Sequence, residues 1–167
     1  MREETTFTLN ISPLRVWTGL SDLRAFALWH PSYRFEDGAA LNRNVGLSFA
    51  LFKGEYRINT TATISQFDKP RTIGWSIAVR GLVVLDEQYE LKASELGTQV
   101  RHALEFRGFL GRLLGRLLRR GMRQTLNLQD RAFARFLKRE AQSALSGINR
   151  QRRRAQTARA ARKATNG

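Results

Sequence analysis

A chain of 167 residues with 42% hydrophobic and 10% aromatic content is the size of one globular domain and holds enough apolar mass for a core. It has no cysteine, which excludes disulfides, thiolate catalysis, thiolate-bound zinc and any haem or iron–sulfur centre held by cysteine. The formal charge of +15 sits at one end: residues 1–107 carry 13 Lys/Arg against 12 Asp/Glu, and residues 108–167 carry 16 against 2.

Taken in chain order, Met1 to Thr6 run directly into a strand pattern with no apolar leader. No apolar run approaches the ~20 residues of a membrane span, so the expected location is the cytoplasm. The first predicted strand, Thr5 to Ile11, alternates Phe7, Leu9 and Ile11 with Thr6, Thr8 and Asn10, the period of a half-buried strand. Ser12-Pro13 then reads as an N-cap followed by a first-turn proline, opening a short helix that carries Val16, Trp17 and Leu20. Asp22 is placed to cap a second short helix, which must end near Trp29-His30-Pro31 because a residue before proline is pushed out of the helical region. Neither helix is long enough to stand alone, so both are expected to pack on the end of a sheet.

From Tyr33 to Phe106 several strands follow, divided by turn chemistry at Asp37-Gly38, Lys53-Gly54, Asp68-Lys69-Pro70, Arg80-Gly81 and Glu95-Leu96-Gly97. Tyr56, Ile58, Thr60, Ala62 and Ile64 alternate with polar neighbours, as do Ile73, Trp75, Ile77 and Val79, giving one dry and one wet face. No helical pattern of crossover length separates the strands, so the sheet is predicted to be antiparallel. Near Phe109 the period turns helical: Leu110, Leu113, Leu114, Leu117, Leu118, Met122, Leu126, Phe133, Phe136 and Leu137 form an apolar stripe opposite a row of arginines. Gly111, Gly115 and Gly121 interrupt it and point either to close packing or to a mobile first turn. The domain is expected to span residues 1–147, with 148–167 a basic, disordered tail.

The stretches Ile11 to Trp17, Leu20 to Leu23, Trp29-His30-Pro31, Phe67 to Trp75 and Gly97 to His102, in that order, resemble the START-like (SRPBCC) superfamily in its polyketide cyclase/dehydrase and lipid-transport branch. The resemblance covers about residues 5–140 and implies an α+β helix-grip fold: a bent antiparallel sheet around a long C-terminal helix, with an elongated apolar cavity between them. It implies lipids, polyketides, steroids or quinones as ligands, and it carries over no shared catalytic motif.

Parity alone names the expected cavity walls: Trp29, Phe49, Tyr56, Ile58, Trp75, Tyr89, Val100, Leu104 and Phe106, with helix leucines such as Leu113 and Leu117 as lid. If the last hairpin turns around Ser94-Glu95, Leu91 faces Thr98, Tyr89 faces Val100, Leu85 faces Leu104, and Glu87 faces His102 on the dry side. A carboxylate beside an imidazole orients the ring and tunes it toward general-base chemistry, or it simply satisfies two buried polar groups. His30 reads as a surface junction residue. Neither histidine has metal-ligand spacing or a carboxylate cluster within reach, so no metal and no cofactor is expected.

Two functions remain open at this level: a binding or transport module for a hydrophobic small molecule or lipid, and a cyclase, dehydratase or hydrolase using Glu87 and His102. The basic tail from Arg150 lacks aromatic residues for base stacking and is expected to associate nonspecifically, through charge, with an anionic membrane surface or nucleic acid.

Overall fold

A computed structural model describes residues 1–51, 56–79, 83–108 and 119–144, together with positions 146 and 151. Residues 1–134 form one compact unit and residues 135–167 a second. The first unit is built on a seven-stranded sheet: β1 (Arg2–Leu9), β2 (Tyr33–Phe35), β3 (Asn44–Leu51), β4 (Tyr56–Asp68), β5 (Thr72–Val79), β6 (Val83–Ser94) and β7 (Gly97–Arg107). The order across the sheet is β1-β7-β6-β5-β4-β3-β2 and every neighbouring pair is antiparallel. β1 and β2 are thus the two edges. The chain passes from one edge to the other through α1 (Pro13–Ser21), a single 3-10 turn (Leu23–Ala25) and α2 (Phe26–Trp29). A final helix, α3, occupies residues 119–144, and the curved sheet with this helix is the predicted helix-grip fold.

Parity decides which side chains enter the core. On β1 the inner positions are Glu3, Thr5, Phe7 and Leu9, and on β5 they are Ile73, Trp75 and Ile77. β4 needs a correction: its outer end is wet, with Tyr56 77% exposed, and its inward row becomes fully buried only at Ala62 and Ile64. A bulge after Ile64 then shifts the pairing, so that Phe67 lies opposite Ile73 and sets its ring against Trp17 at 5.1 Å. One extra residue switches the parity, which no alternation count reveals.

The helical segments cap differently from the expectation. Asp22 does accept a hydrogen bond from the Ala25 N–H. Ser12 has the extended backbone of an N-cap, but its hydroxyl makes no cap bond. The Arg15 and Val16 N–H groups bond the Ser12 carbonyl oxygen instead, at 3.0 and 3.1 Å. On α3 the stripe holds, with Met122, Leu126, Phe133, Phe136 and Leu137 all buried. A Cβ at Gly121 would meet nothing within 4 Å, so this glycine marks no close approach. Leu110, Leu113, Leu114, Leu117, Leu118, Gly111 and Gly115 lie outside the described residues, as does most of 148–167.

Candidate functional site

The last hairpin brings the polar candidates together in a register two residues away from the expected one. Ser94 pairs with Gly97 around a loop of Glu95 and Leu96, so Tyr89 faces His102, Glu87 faces Leu104, Leu91 faces Val100 and Leu85 faces Phe106. The cause is Gly97, whose φ of +120° suits glycine and places it just past the loop. A Cβ there would collide with the Leu9 carbonyl oxygen. A shift of two preserves parity, so Glu87 and His102 stay on the inner face as diagonal neighbours. His102 Nε2 lies 3.0 Å from Glu87 Oε1.

The second ring nitrogen completes a constellation that the sequence reading missed. His102 Nδ1 is 2.7 Å from Asp130 Oδ1 on α3, and Thr5 on β1 donates its hydroxyl to Asp130 Oδ2 at 2.6 Å. The expectation that no carboxylate cluster lies within reach of the histidines is therefore overturned for His102. Asp130 follows Leu126 by four residues and precedes Phe133 by three, so it sits on the apolar stripe. A lone carboxylate on a dry helix face was the available signal.

Both His102 nitrogens face carboxyl oxygens, so a protonated ring can donate to Asp130 and Glu87 at once. Burial by itself lowers the imidazole pKa, but the hydrogen bonds to Asp130 and Glu87 and their charges outweigh it and hold His102 above its ordinary value. The Tyr89 ring stacks on His102 at 3.9 Å and 15°, and its phenol donates to Glu87 Oε1 at 3.3 Å. Burial, reinforced by the Glu87 carboxylate, pushes the phenols of both Tyr89 and Tyr33 well above their usual range, so both stay protonated.

His30 is the opposite case. It is 2% exposed rather than a surface junction residue, because α2 and β2 close over it: Tyr33 stacks on it at 4.2 Å and Phe26 at 5.5 Å. Its Nδ1 accepts from the Tyr33 N–H at 2.8 Å and the Ser32 N–H at 3.2 Å, which fixes the proton on Nε2. Burial, then repulsion from His102 and Arg34, holds its pKa well below the ordinary value, so it is neutral.

Four buried polar atoms in this region have no protein partner: His30 Nε2, Trp75 Nε1, Glu87 Oε2 and Gln129 Oε1. Ring contacts tie the first three together. Phe26 touches His30 at 5.5 Å and Trp75 at 5.6 Å, and Trp75 touches Tyr89 at 5.9 Å, whose phenol holds Glu87. The core thus offers two N–H donors and one carboxylate acceptor along one run of aromatic rings. Among the described residues no group of His, Cys, Asp and Glu is arranged to hold a metal.

The other predicted wall residues separate by position. Trp29, Trp75, Tyr89, Val100 and Leu104 are buried; Phe49, Ile58 and Phe106 are half-buried; Tyr56 is exposed. Trp29 joins the aromatic run through Phe26 at 4.5 Å and Phe133 at 4.8 Å. Phe49 pairs with Ile58 on the neighbouring strand, Val100 lies between Phe7 and Leu91, and Leu104 packs with Met122, Leu126 and Phe106. Leu113 and Leu117 are outside the described residues.

No helix among the described residues is long and apolar enough to cross a membrane. The fold is similar to a protein of unknown function from Staphylococcus aureus (12% identity, TM-score 0.69, 85% of this chain and 96% of that one). It is also similar to a protein from Nitrosomonas europaea (14%, 0.68, 84% and 96%) and to the AHSA1-like protein from Aeromonas hydrophila (12%, 0.63, 84% and 94%). No curated protein matches the sequence. At such identities the likeness speaks for the fold alone, whereas the family model described as polyketide cyclase/dehydrase and lipid transport matches residues 2–150 of the sequence itself. With nearly the whole folded chain inside that match, the protein belongs to the polyketide cyclase/dehydrase and lipid transport family.

Proposed function

We propose that this is a cytoplasmic protein that binds one apolar small molecule or lipid between the inner sheet face and residues 119–134 of α3, reading a polar group on it with His30, Trp75 and Glu87. The observation that carries the reading is the set of buried polar atoms without protein partners along the aromatic run. Each such atom costs about 1–3 kcal/mol when left unpaired, so a ligand that supplies partners recovers that energy while its apolar body is removed from water. The family gives the coarser support, since its members handle lipids and polyketides.

Tryptophan quenching by menadione and enhancement of cis-parinaric acid fluorescence test the reading, with saturable binding of at least one probe expected. Ala62, fully buried opposite Val45 and Ile77, provides the structural control. Ala62→Trp is expected to abolish probe uptake at a cost of ~1–3 kcal/mol in stability, because the ring fills binding space rather than packed core. Failure of both probes, with no small molecule retained in native mass spectra, overturns the reading. The basic residues of 148–167 are proposed as a nonspecific arm for an anionic membrane surface or nucleic acid, and unchanged sedimentation with anionic vesicles and RNA after their deletion counts against it.

A further inference from the structure

Arginines around the sheet are matched to carboxylates: Arg101 bridges Glu4 and Glu90, Arg107 meets Asp86, and Arg71 meets Asp68. Arg34 on β2 and Arg57 on β4 depart from this. Among the described residues neither forms an ion pair, and their hydrogen bonds all go to neutral oxygens. Arg57 sends Nε to the Ser48 hydroxyl at 2.9 Å and Nη2 to the carbonyls of Ser48 at 2.7 Å and Ser32 at 3.1 Å. Arg34 sends Nη1 to the carbonyls of Tyr33 at 2.6 Å and His30 at 2.8 Å. The two guanidiniums are thus anchored on the carbonyls of consecutive residues, Ser32 and Tyr33, and they feel each other: burial, and then the charge of Arg57, hold the Arg34 pKa below its ordinary value.

The register brings them together. Arg34 pairs with Ser48 across β2 and β3, and Ala50 pairs with Arg57 across β3 and β4 while its N–H bonds the Ser32 carbonyl at 3.1 Å. Parity puts Arg34, Ser48 and Arg57 on the outer face, opposite the buried Tyr33, Phe35 and Leu47. Glu36, the carboxylate nearest along β2, lies over Gly46 and joins neither arginine. Long exposed side chains with like charge ordinarily swing apart; here backbone carbonyls hold both heads in place with no countercharge. Arg34 keeps Nε and Nη2, and Arg57 keeps Nη1, without acceptors among the described residues, and the Ser48 hydroxyl still has a proton to donate. We propose that Arg34, Arg57 and Ser48 form a binding site for the phosphoryl group of a soluble phosphate monoester. Such a group carries about −1.5 to −2 charge at pH 7 and three acceptor oxygens, so it offsets both guanidiniums and accepts from each of them and from the hydroxyl. A carboxylate brings half that charge and one oxygen fewer. The row is polar, with Ser48 pairing with Arg34 on one side and Asn59 on the other, which suits a group that stays partly hydrated rather than one embedded in a bilayer. The site lies across the sheet from the apolar ligand and does not depend on that reading.

The probe is phenyl phosphate, titrated into the full chain above the second ionisation of the phosphate, near pH 6. Calorimetry gives the affinity, and the nitrogen NMR signals of the arginine Nε–H groups report the place. Saturable binding that moves the Arg34 and Arg57 signals is expected. Arg57→Gln and Arg34→Gln are each expected to weaken it ~10-fold or more. Arg15→Gln removes the same charge from α1, which packs on β6 and β7, and is expected to leave the affinity unchanged. Arg34 also holds the His30 carbonyl, so if Arg34→Gln does not fold, Arg57→Gln decides, and wild-type affinity in that variant overturns the proposal. Equal weakening by Arg15→Gln reduces the binding to the overall basicity of the chain and overturns the site. Benzoate that competes as well as phenyl phosphate overturns the phosphate class. Binding to phosphatidylcholine vesicles containing phosphatidic acid, with none to phenyl phosphate, overturns the soluble ester as the ligand. Absence of binding to either overturns the proposal outright, and each of these outcomes leaves the apolar ligand reading untouched.

Discussion

Asp86 and Glu87 are neighbours on β6 and carry the same charge, yet they live on opposite faces of the sheet. On the outer face Asp86 accepts from Ser76 at 2.5 Å and from Arg107, whose Nη2 is 2.8 Å away and whose Nε also bonds it. Farther along the same face Arg101 bridges Glu4 at 2.7 Å and Glu90 at 3.3 Å. On the inner face Glu87 and His102 have side chains 0% exposed. Water competes for every outer pair and salt screens it, so those pairs fix the sheet only weakly. The inner group has lost its hydration entirely and persists because each charge finds a hydrogen-bonded partner. The same residue types therefore act as replaceable surface contacts on one side and as a specified, desolvated arrangement on the other.

The largest expected effect comes from breaking the inner group. His102→Ala leaves Glu87 and Asp130 buried without their shared hydrogen-bond partner, and a loss of ~3–5 kcal/mol is expected in urea unfolding, or no folded protein at all. A loss below about 1 kcal/mol would mean that the two carboxylates are not desolvated as the structure has them.

A subtler break uses pH. The folded pKa of His102 lies above the unfolded value of ~6.5, so its contribution to stability is fully present below that pH and is lost as pH rises through the raised folded value. His30 runs the other way: its folded pKa is depressed, so the unfolded chain alone takes up a proton on acidification, and its contribution is lost as pH falls below ~6.5. The two trends oppose each other in the wild type. In His30→Asn only the His102 trend survives, and stability is expected to rise more steeply than in the wild type between about pH 8 and pH 6. Equal slopes would show that His30 is not held neutral by its surroundings.

The smallest effect belongs to the outer face. Arg107→Gln is expected to change the urea midpoint only slightly, and high salt should erase the difference from wild type, because the pair it removes is solvated on both partners. A large, salt-insensitive loss would make the outer face as specific as the inner one and remove the contrast between them.

Much of this arrangement was legible in the residues. The alternation of Ile73, Trp75 and Ile77 fixed the inner face of β5, and the stripe through Met122, Leu126 and Phe133 fixed the buried side of α3. Glu87 and His102 were identifiable as inward polar residues despite a register error, because a two-residue shift leaves parity unchanged. Asp130 could have been found as the carboxylate on that same stripe. The burial of His30 could not, since it depends on Phe26 and Tyr33 arriving from two different elements.

By itself the sequence determined periods: which residues of a strand or helix share a face, where turns interrupt them, and how charge divides along the chain. Those are local properties, set by the geometry of a strand and a helix within a few residues. Only the tertiary structure decided which faces meet, and with them the Thr5–Asp130–His102–Glu87 chain, whose members come from four elements separated by up to 125 residues. The opposite pKa shifts of the two histidines were decided there as well. Desolvation and hydrogen bonding act through space, so of two imidazoles of identical chemistry one is raised by the carboxyl groups of Asp130 and Glu87 and the other, accepting from two backbone amides, is lowered by burial.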